Sequence, residues 1–196
     1  LIQAQAPISR AQLAALTGLN KSTVSSLVDE LLERRLVHEI GQNSAAGTGR
    51  PATLLEINPR AGHIIGVELG VDFVSVGIAD FRGNLVWQRK EDADPLQGQE
   101  AMLEQTLQIL KDAISTGKKK GQRFLGLGLA TPGTVDLNEG VLVFAPNLHW
   151  KNVPFRKIFS ESTKLKVHVE NDANAATIGE HLFGKGRFAR DFIFVF

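Results

Sequence analysis

The stretch that decides the fold of the N-terminal part of this chain is ISRAQLAALTGLNKSTVSSLVDELLERRLV, residues 8–37. Ser9 is a residue type that begins helices, and Asn20 can begin a second helix in the same way. Gly18 stands between them and can supply a turn. Ala14 is small enough to let the second helix cross the first closely. The stretch therefore predicts two short helices joined by a glycine turn.

The second predicted helix is amphipathic. Its apolar residues recur at i, i+3, i+4, i+7 and i+8 and form one stripe, which consists of Val24, Leu27, Val28, Leu31 and Leu32. The opposite face is polar, and the N-terminal residues of a DNA-recognition helix are those that reach base edges. The candidate DNA contacts are Lys21, Ser22, Thr23, Ser25 and Ser26. Lys21 is expected to bind guanine or phosphate.

A wing is predicted after these helices. Val37–Ile40 and Thr53–Ile57 alternate well enough to form two paired strands, and the polar residues 41–49 connect them. Arg50 stands beside Pro51 at the end of this connector. An arginine in a Gly-Arg-Pro sequence can enter a narrow minor groove or bind phosphates, because the proline limits the freedom of the chain. Taken alone, Arg50 is nearly as compatible with a solvated loop.

The helices and the wing together predict a winged helix-turn-helix that binds double-stranded operator DNA. The alternative is a small helical hairpin that packs against a partner protein. Residues 1–60 hold six Lys and Arg against five Asp and Glu, a balance of +1, and the whole chain also carries +1. So small an excess predicts weak DNA binding by one copy, and hence a homodimer on a paired site.

Composition limits the class of protein. The chain has 196 residues, of which 43% are hydrophobic, and this suffices for one small and one larger domain. The absence of cysteine excludes disulfides and thiolate metal sites within these residues. No apolar run is long enough to span a membrane, and no signal-peptide pattern opens the sequence. We therefore expect a cytoplasmic protein with no membrane partner.

The second domain is predicted to begin near Asn58 and Pro59, which divides the chain into domains 1–58 and 59–196. Three strands open it, in the stretches HIIGVELG, FVSVGIADF and LVWQRK, and the last two form a hairpin. A helix follows. Its apolar face is predicted to consist of Ala101, Leu103, Leu107, Leu110 and Ile114.

The remaining elements alternate between strands and helices. Phe124–Ala130 is apolar on both faces and is predicted as a central parallel strand. Val135–Val143 is predicted as a small hairpin, Val167–Glu170 as a strand and Ala173–Phe183 as a helix. The apolar residues 192–196 predict a buried strand. This order is that of one lobe of an actin-like, or ribonuclease H-like, fold, so the predicted fold class is α+β or α/β.

Four segments of the chain resemble the ROK family of repressors and sugar kinases, and among them the xylose-repressor-like transcription factors. In chain order they are GTGRPATLLEINPRAGHIIGVELG, TPGTVD, APNLHW and VENDANAATIGE. The resemblance covers essentially the whole chain. Because the chain begins without methionine and ends within an apolar run, we expect a fragment whose ROK domain is incomplete at its C-terminus.

The resemblance implies a sugar site. In ROK sugar kinases the aspartate of the END-type segment is the general base that takes a proton from the sugar hydroxyl, and the neighbouring asparagine holds sugar hydroxyls. Here these residues are Asp172 and Asn171. Asn147 and Gly133 are assigned to the same cleft by the resemblance. Asp172 follows a strand and precedes a helix, where ligands of open α/β sheets bind, although Asp172 or Asn171 could equally cap the helix.

The kinase pattern is incomplete. ROK kinases carry an Asp-x-Gly-Gly-Thr turn that approaches ATP phosphates, whereas this chain has Glu68-Leu69-Gly70-Val71-Asp72. Val71 places a branched side chain where backbone would meet phosphate. We therefore expect no ATP binding, no catalytic residue and no cofactor in these residues. A zinc site of the family would lie beyond Phe196.

The predicted function is a sugar-responsive transcriptional regulator that represses genes of carbohydrate use. Its partners would be operator DNA and a sugar, and the sugar can act only if it binds two arrangements of the protein with different affinity. The alternative is an ATP-dependent ROK sugar kinase with an accessory DNA-binding domain. A third possibility is a constitutive DNA-binding protein whose cleft is vestigial.

Overall fold

A computed structural model describes residues 1–43 and 52–195, which fold as two compact units, Leu1–Ala61 and Gly62–Phe196. The junction lies three residues after the predicted boundary between Asn58 and Pro59. Pro59–Ala61 form a 3-10 turn, in which the Ala61 amide donates to the Asn58 carbonyl at 3.0 Å. The Asn58 side chain in turn donates to the Arg35 carbonyl at 2.8 Å. These bonds hold the turn to the first unit.

The first unit combines three helices with a small antiparallel sheet. The strands lie in the order β1-β3-β2. In chain order the elements are α1 (Ile2–Gln5), β1 (Ile8–Ser9), α2 (Arg10–Thr17), α3 (Lys21–Glu33), β2 (Val37–Asn43) and β3 (Ala52–Ile57). The predicted helix pair and wing strands are confirmed, and the first wing strand is three residues longer than expected. Sequence reasoning missed β1, because two residues are too short to show an alternating pattern.

The ends of α2 and α3 form as predicted. Ser9 and Gln12 form a reciprocal capping box at the start of α2. Gly18 ends α2 in the left-handed conformation, with φ of +70°, which costs glycine no steric strain. The Asn20 side chain accepts a hydrogen bond from the Thr23 amide at 2.8 Å and so caps α3.

The core of the first unit is narrower than the apolar stripe of α3 predicts. Its buried apolar residues are Ile8, Leu13, Ala14, Val24, Val28 and Leu55, with Ile2 and Leu32 packed against them. Leu27, predicted to lie in the stripe, is 49% exposed. It stands about 60° around the helix from Val24 and about 100° from Val28. Leu27 therefore lies beyond the strip of α3 that this small core covers.

The second unit contains a five-stranded sheet in the order β11-β7-β4-β5-β6. The strands β4, β5 and β6 form the predicted antiparallel meander, and β7 runs parallel to both of its neighbours, as predicted for a central strand. The strands of this sheet are β4 (His63–Leu69), β5 (Phe73–Asp80), β6 (Leu85–Asp92), β7 (Phe124–Thr131) and β11 (Val167–Asn171). Helix α4 (Gly98–Lys119) lies between β6 and β7 in the chain, and helix α6 (Asp172–Phe183) follows β11.

A second, three-stranded antiparallel sheet lies between β7 and β11 in the chain. Its strands β8 (Thr134–Asp136), β9 (Val141–Ala145) and β10 (Trp150–Val153) are followed by helix α5 (Phe155–Thr163). The hairpin of β8 and β9 was predicted. Strand β10 was not, because it follows the 3-10 turn Pro146–Leu148 and has only four residues.

The buried side of α4 is rotated from the predicted one. Its buried residues are Met102, Leu103, Thr106, Ile109, Leu110, Ala113 and Gly117. Ala101, Leu107 and Ile114, placed in the apolar face by the pattern, are only half-buried. Thr106 lies at the centre of the true buried side, and its hydroxyl donates to the Met102 carbonyl at 2.6 Å. Because the Thr106 hydroxyl has a hydrogen-bond partner within its own helix, this polar residue can be buried. A prediction that uses only apolar residues therefore misses it.

The prediction of a buried strand at the end of the chain is wrong for the described residues. Residues 191–195 join neither sheet, and Ile193 and Val195 are 92% and 87% exposed. The Phe192 ring instead stacks on the His181 ring of α6, with 5.6 Å between centroids. An apolar run forms a strand only where a neighbouring strand supplies hydrogen bonds, and none lies beside this segment in the part of the chain described.

Candidate functional site

The N-terminal end of α3 carries the predicted DNA contacts on its polar side. Lys21, Ser22, Thr23 and Ser26 are exposed, and Ser25 is half-buried. The Ser22 hydroxyl donates to the Asn20 carboxamide oxygen at 2.8 Å, so Ser22 also belongs to the cap. Ser22 and Ser26 lie on the side of the helix away from Val24 and Val28, whereas Lys21 shares the angular position of these residues and is exposed because it begins the helix.

Arg10 joins three elements of the first unit and was not predicted as a functional residue. It begins α2, and its guanidinium donates to Asp29 of α3 at 2.9 Å and to Glu39 of β2 at 3.0 Å. Burial lowers the pKa of Arg10, and the bonds to Asp29 and Glu39 outweigh burial, so that the net shift of the pKa is upward. Both carboxylates therefore favour the charged form of the guanidinium, which arginine keeps in proteins in any case.

Arg50, the predicted residue at the wing tip, lies outside the described residues, as does the connector from residue 44 to 51. The strands that flank this connector pair from Val37 and Ile57 onward, with an irregularity between Glu39 and Gly41. Arg50 therefore remains a predicted DNA contact.

In the second unit, the turn after β7 is joined to the end of β11. The Asn171 side chain donates to the Gly133 carbonyl at 3.0 Å. Gly133 has φ of +106°, and a Cβ atom there would lie 2.4 Å from the Phe144 carbonyl oxygen and 2.8 Å from the Ala145 Cα. Only glycine fits this position, because any side chain would collide with the backbone at the end of β9.

Asn171, and not Asp172, is the cap of α6. The Asn171 carboxamide oxygen accepts the Asn174 amide at 3.1 Å, which uses the acceptor of this side chain, while the Gly133 bond uses one of its two N–H groups. Asp172 is half-buried, and one of its oxygens accepts the Ala173 amide at 2.8 Å. The helix-cap interpretation is thus confirmed for Asn171. A sugar-binding role for Asn171 and Asp172 stays a prediction.

Asn147 lies in the exposed 3-10 turn that follows β9. Ala145, two residues earlier, is the residue whose Cα faces Gly133. Leu148, the last residue of this turn, and Trp150, the first residue of β10, are buried and anchor the turn in the core. The structure therefore joins Gly133 to Asn171 directly and connects Asn147 to them through the end of β9.

Two further residues hold this region together, and sequence reasoning missed both. A carboxylate oxygen of Glu170 accepts the Asn171 amide at 2.9 Å and the Asn174 side chain at 3.1 Å. The Arg156 guanidinium donates to the carbonyls of Leu137, Asn138 and Val167. The sequence gives no signal for Arg156, because an arginine on an amphipathic helix is usually solvated.

The turn between β4 and β5 is occupied by its own contacts. The Gly70 amide donates to the Phe73 carbonyl at 2.9 Å, and the Val71 side chain packs against the core. A Cβ atom at Gly70 would lie 2.3 Å from the Phe73 ring. The Gly70 backbone N–H is therefore hydrogen-bonded within the turn itself. The resemblance places this turn where the backbone of ROK kinases approaches phosphate.

The part of the chain that the structure describes contains neither a candidate membrane-spanning helix nor a candidate metal site. No helix there has the length and apolar character needed to cross a membrane. No three of its His, Asp and Glu side chains are grouped as metal ligands.

Known proteins resemble both units. Residues 64–196 match the ROK family, and residues 1–41 match the IclR helix-turn-helix domain. The xylose repressor of Caldicellulosiruptor bescii is 34% identical over 188 residues, which are 96% of this chain and 47% of that repressor. The crystal structure of a ROK family transcriptional regulator, a homologue of the Escherichia coli Mlc protein, matches with a TM-score of 0.71 and 25% identity. It covers 93% of this chain and 46% of that chain.

Sugar kinases also match, over a smaller share of this chain. A ROK family glucokinase from Streptomyces griseus, solved with glucose and AMPPNP, matches with a TM-score of 0.54 and 31% identity, over 64% of this chain and 38% of that chain. This chain spans about half the length of the curated relatives it matches. Because the ROK family model matches more than half of the chain and the fold is shared, the chain belongs to the ROK family. In sequence order, a helix-turn-helix precedes an actin-like lobe.

Proposed function

We propose that the protein is a sugar-responsive DNA-binding regulator that represses genes of carbohydrate use. The observation that carries this proposal is the presence, in one chain, of a capped recognition helix with an exposed polar side and a ROK lobe. Relatives named as xylose repressors match across both units and support the proposal. The glucokinase match covers 64% of this chain, whereas a xylose repressor matches 96% of it, so the kinase match gives less support for a function of the whole chain.

The DNA partner would be a duplex operator. The exposed N-terminal end of α3 suits entry into a major groove, where Lys21 and the hydroxyls of Ser22, Thr23, Ser25 and Ser26 can reach base edges or phosphates. A chain with a net charge of +1 gains little affinity from counterion release, so two copies on a paired site are expected. The named repressors that resemble this chain come from bacteria, in which genomic DNA lies in the cytoplasm, and we place the protein there.

The sugar partner would bind beside Asp172. Asn171 is committed to the helix cap and to Gly133, so its role would be to hold the strand end and the turn in place. The second carboxylate oxygen of Asp172 and the exposed Asn147 side chain could then meet sugar hydroxyls. Xylose is the first sugar to test, because several relatives that are 33–34% identical to this chain are named xylose repressors.

We favour a regulator over a kinase. The turn Glu68-Leu69-Gly70-Val71-Asp72 lacks the second glycine and the threonine of the kinase pattern, and the Gly70 amide is already bonded to Phe73. A kinase needs preorganised donors around the transferred phosphoryl group. The kinase alternative predicts ATP turnover in the presence of a pentose or hexose, which a coupled assay would detect.

The test is a fluorescence anisotropy titration of the intact protein against duplexes selected from a randomised DNA library. Xylose, glucose and N-acetylglucosamine are then added separately. We expect one of them to weaken specific binding at least about fivefold, which is a typical coupling between two sites. Specific binding that no sugar changes would contradict the sugar-responsive part of the proposal. Loss of specific binding in all conditions would contradict the regulator itself.

Asp172→Asn serves as the matched variant in this titration. It keeps the size of the side chain and removes its charge, so operator binding should persist while the response to sugar is lost. Loss of both activities together, with a lowered melting temperature, would instead assign Asp172 to folding.

A further inference from the structure

Arg10 occupies a position to which the sequence motifs assign no role. Its guanidinium bonds Asp29 and Glu39 at the same time, and so ties the start of α2 to the middle of α3 and to the wing strand β2. Arg10 is the least exposed of the three side chains, at 29%, against 61% for Asp29 and 46% for Glu39. Exposed ion pairs contribute little to stability, at most about 1 kcal/mol, so stability alone gives a weak reason for this arrangement.

The location of Asp29 suggests a different reason. Asp29 follows Ser22 by seven residues and Ser26 by three, so it lies on the same side of α3 as the predicted DNA contacts. This side faces away from Val24 and Val28, which are buried. A bare carboxylate here would meet the negative phosphates of a bound duplex and oppose binding. In the structure this carboxylate is hydrogen-bonded to Arg10.

We propose that Arg10 is a positioning residue for DNA binding, which acts through Asp29 and Glu39 and not through contact with DNA. It holds the recognition helix and the wing strand in one arrangement and neutralises a carboxylate on the DNA-facing side. This inference rests on the proposed DNA-binding function. An arginine suits the task, because its planar fork can donate to two carboxylates in fixed directions, which a lysine ammonium does less well.

A double-mutant cycle distinguishes action of Arg10 through Asp29 and Glu39 from direct binding of a DNA phosphate by Arg10. Arg10→Met is measured alone and in a background of Asp29→Asn with Glu39→Gln, with the intact protein and the labelled duplex selected above. If Arg10 acts through the two carboxylates, Arg10→Met weakens binding about tenfold or more in the wild-type background and less than about twofold in the neutralised one. If Arg10 binds a phosphate directly, the loss persists or grows in the neutralised background, and the inference is overturned.

Salt dependence supplies a second and independent readout. Under the proposal, Arg10→Met in the neutralised background changes neither the contacted phosphates nor the unpaired carboxylates, so the slope of log affinity against log salt stays the same there. A direct phosphate contact would reduce the magnitude of this slope by about 0.9. A merely structural role would lower the melting temperature of the variant and leave the affinity of the folded protein for the duplex unchanged.

Arg34→Met is the matched control. Arg34 also forms an exposed ion pair, with Glu30 at 3.3 Å, but both residues belong to one helical segment and join no second element. This variant removes the same charge, so a loss as large as that of Arg10→Met would attribute the effect to net charge and overturn the inference. If Arg10→Met unfolds at the assay temperature, Arg10→Lys replaces it, because lysine keeps the charge and loses the fork.

Failure of the inference is distinct from failure of the proposed function. A wild-type protein that selects no duplex contradicts the proposed function itself. A wild-type protein that binds its selected duplex, with no coupling between Arg10 and the two carboxylates, contradicts only the role given to Arg10.

Discussion

Two helices of this protein begin with an asparagine cap at a candidate binding site, and the two caps differ in reach. Within the described residues, the Asn20 side chain at the start of α3 bonds only its near neighbours, the Thr23 amide and the Ser22 hydroxyl. Asn171 at the start of α6 bonds the Asn174 amide and also the Gly133 carbonyl, 38 residues away in the chain. The first cap is a local device, while the second joins a helix to a distant turn.

This difference shows how the same residue type can serve two kinds of site. At α3 the cap leaves the following side chains exposed to a large partner that approaches from outside. At α6 the cap joins the end of β11 to the turn after β7, and this turn lies against the end of β9. The consequences of substitution should therefore be confined to one helix in the first case and spread to the β7–β8 turn in the second.

The largest effect is expected at Gly133. Gly133→Ala places a Cβ atom against the Phe144 carbonyl at a positive φ, so we expect the free energy of unfolding to fall by about 2–4 kcal/mol. Urea denaturation measures this change. Gly128→Ala is the control, because a Cβ atom at Gly128 on the neighbouring strand β7 meets nothing within 4 Å. Equal losses for the two variants would show that the close approach at Gly133 does not matter.

Asn171→Ser should have the next largest effect. Serine also caps helices, so this variant keeps the cap and removes only the donor to the Gly133 carbonyl. We expect a loss of stability of about 1 kcal/mol and a weaker response to sugar, since the turn is no longer held against β11. Denaturation and the sugar titration measure the two effects. An unchanged response would separate the Gly133 bond from ligand binding.

Lys21→Ala tests the exposed side of α3. Removal of one cationic contact should weaken operator binding several-fold and reduce the magnitude of the salt slope by about 0.9, if Lys21 binds a phosphate. If it binds a guanine, the loss should depend on the base at one position of the operator. Binding that stays unchanged at every salt concentration would remove Lys21 from the contact set.

The smallest effect is expected for Asn20→Ser, the counterpart of Asn171→Ser. Because all bonds of Asn20 are local and serine replaces the cap, stability should change by no more than about 0.5 kcal/mol. A loss as large as that of Asn171→Ser would contradict the distinction between a local and a long-range cap. Thermal melting of the two variants side by side measures this difference.

The accuracy of the sequence predictions follows the same distinction. Ser9, Gly18 and Asn20 could be placed at helix ends because each acts on neighbours within four residues. The meander and the parallel strand β7 were predictable because their alternation and hydrophobicity are properties of short segments. The sugar-site residues were selected by family resemblance, and their sequence positions alone did not show that Asn171 contacts Gly133.

The errors arose where burial depends on a neighbouring element. Leu27 belongs to the apolar stripe of α3, but the small core covers only part of that stripe. Thr106 is polar, yet it is fully buried because its hydroxyl is satisfied within α4. Residues 191–195 are largely apolar, but no strand in the described part of the chain pairs with them. A pattern within one segment contains no information about which surface will cover it.

The sequence by itself determined the helix ends, the order of elements and the types of residue available for binding, because these depend on interactions within a few residues. The tertiary structure alone decided which of these residues meet. It joined Asn171 to Gly133, Arg156 to the β8–β9 hairpin, and Arg10 to Asp29 and Glu39. Each of these contacts spans 18 or more residues along the chain, and such contacts form only when burial of apolar surface offsets the entropy of closing the intervening loop.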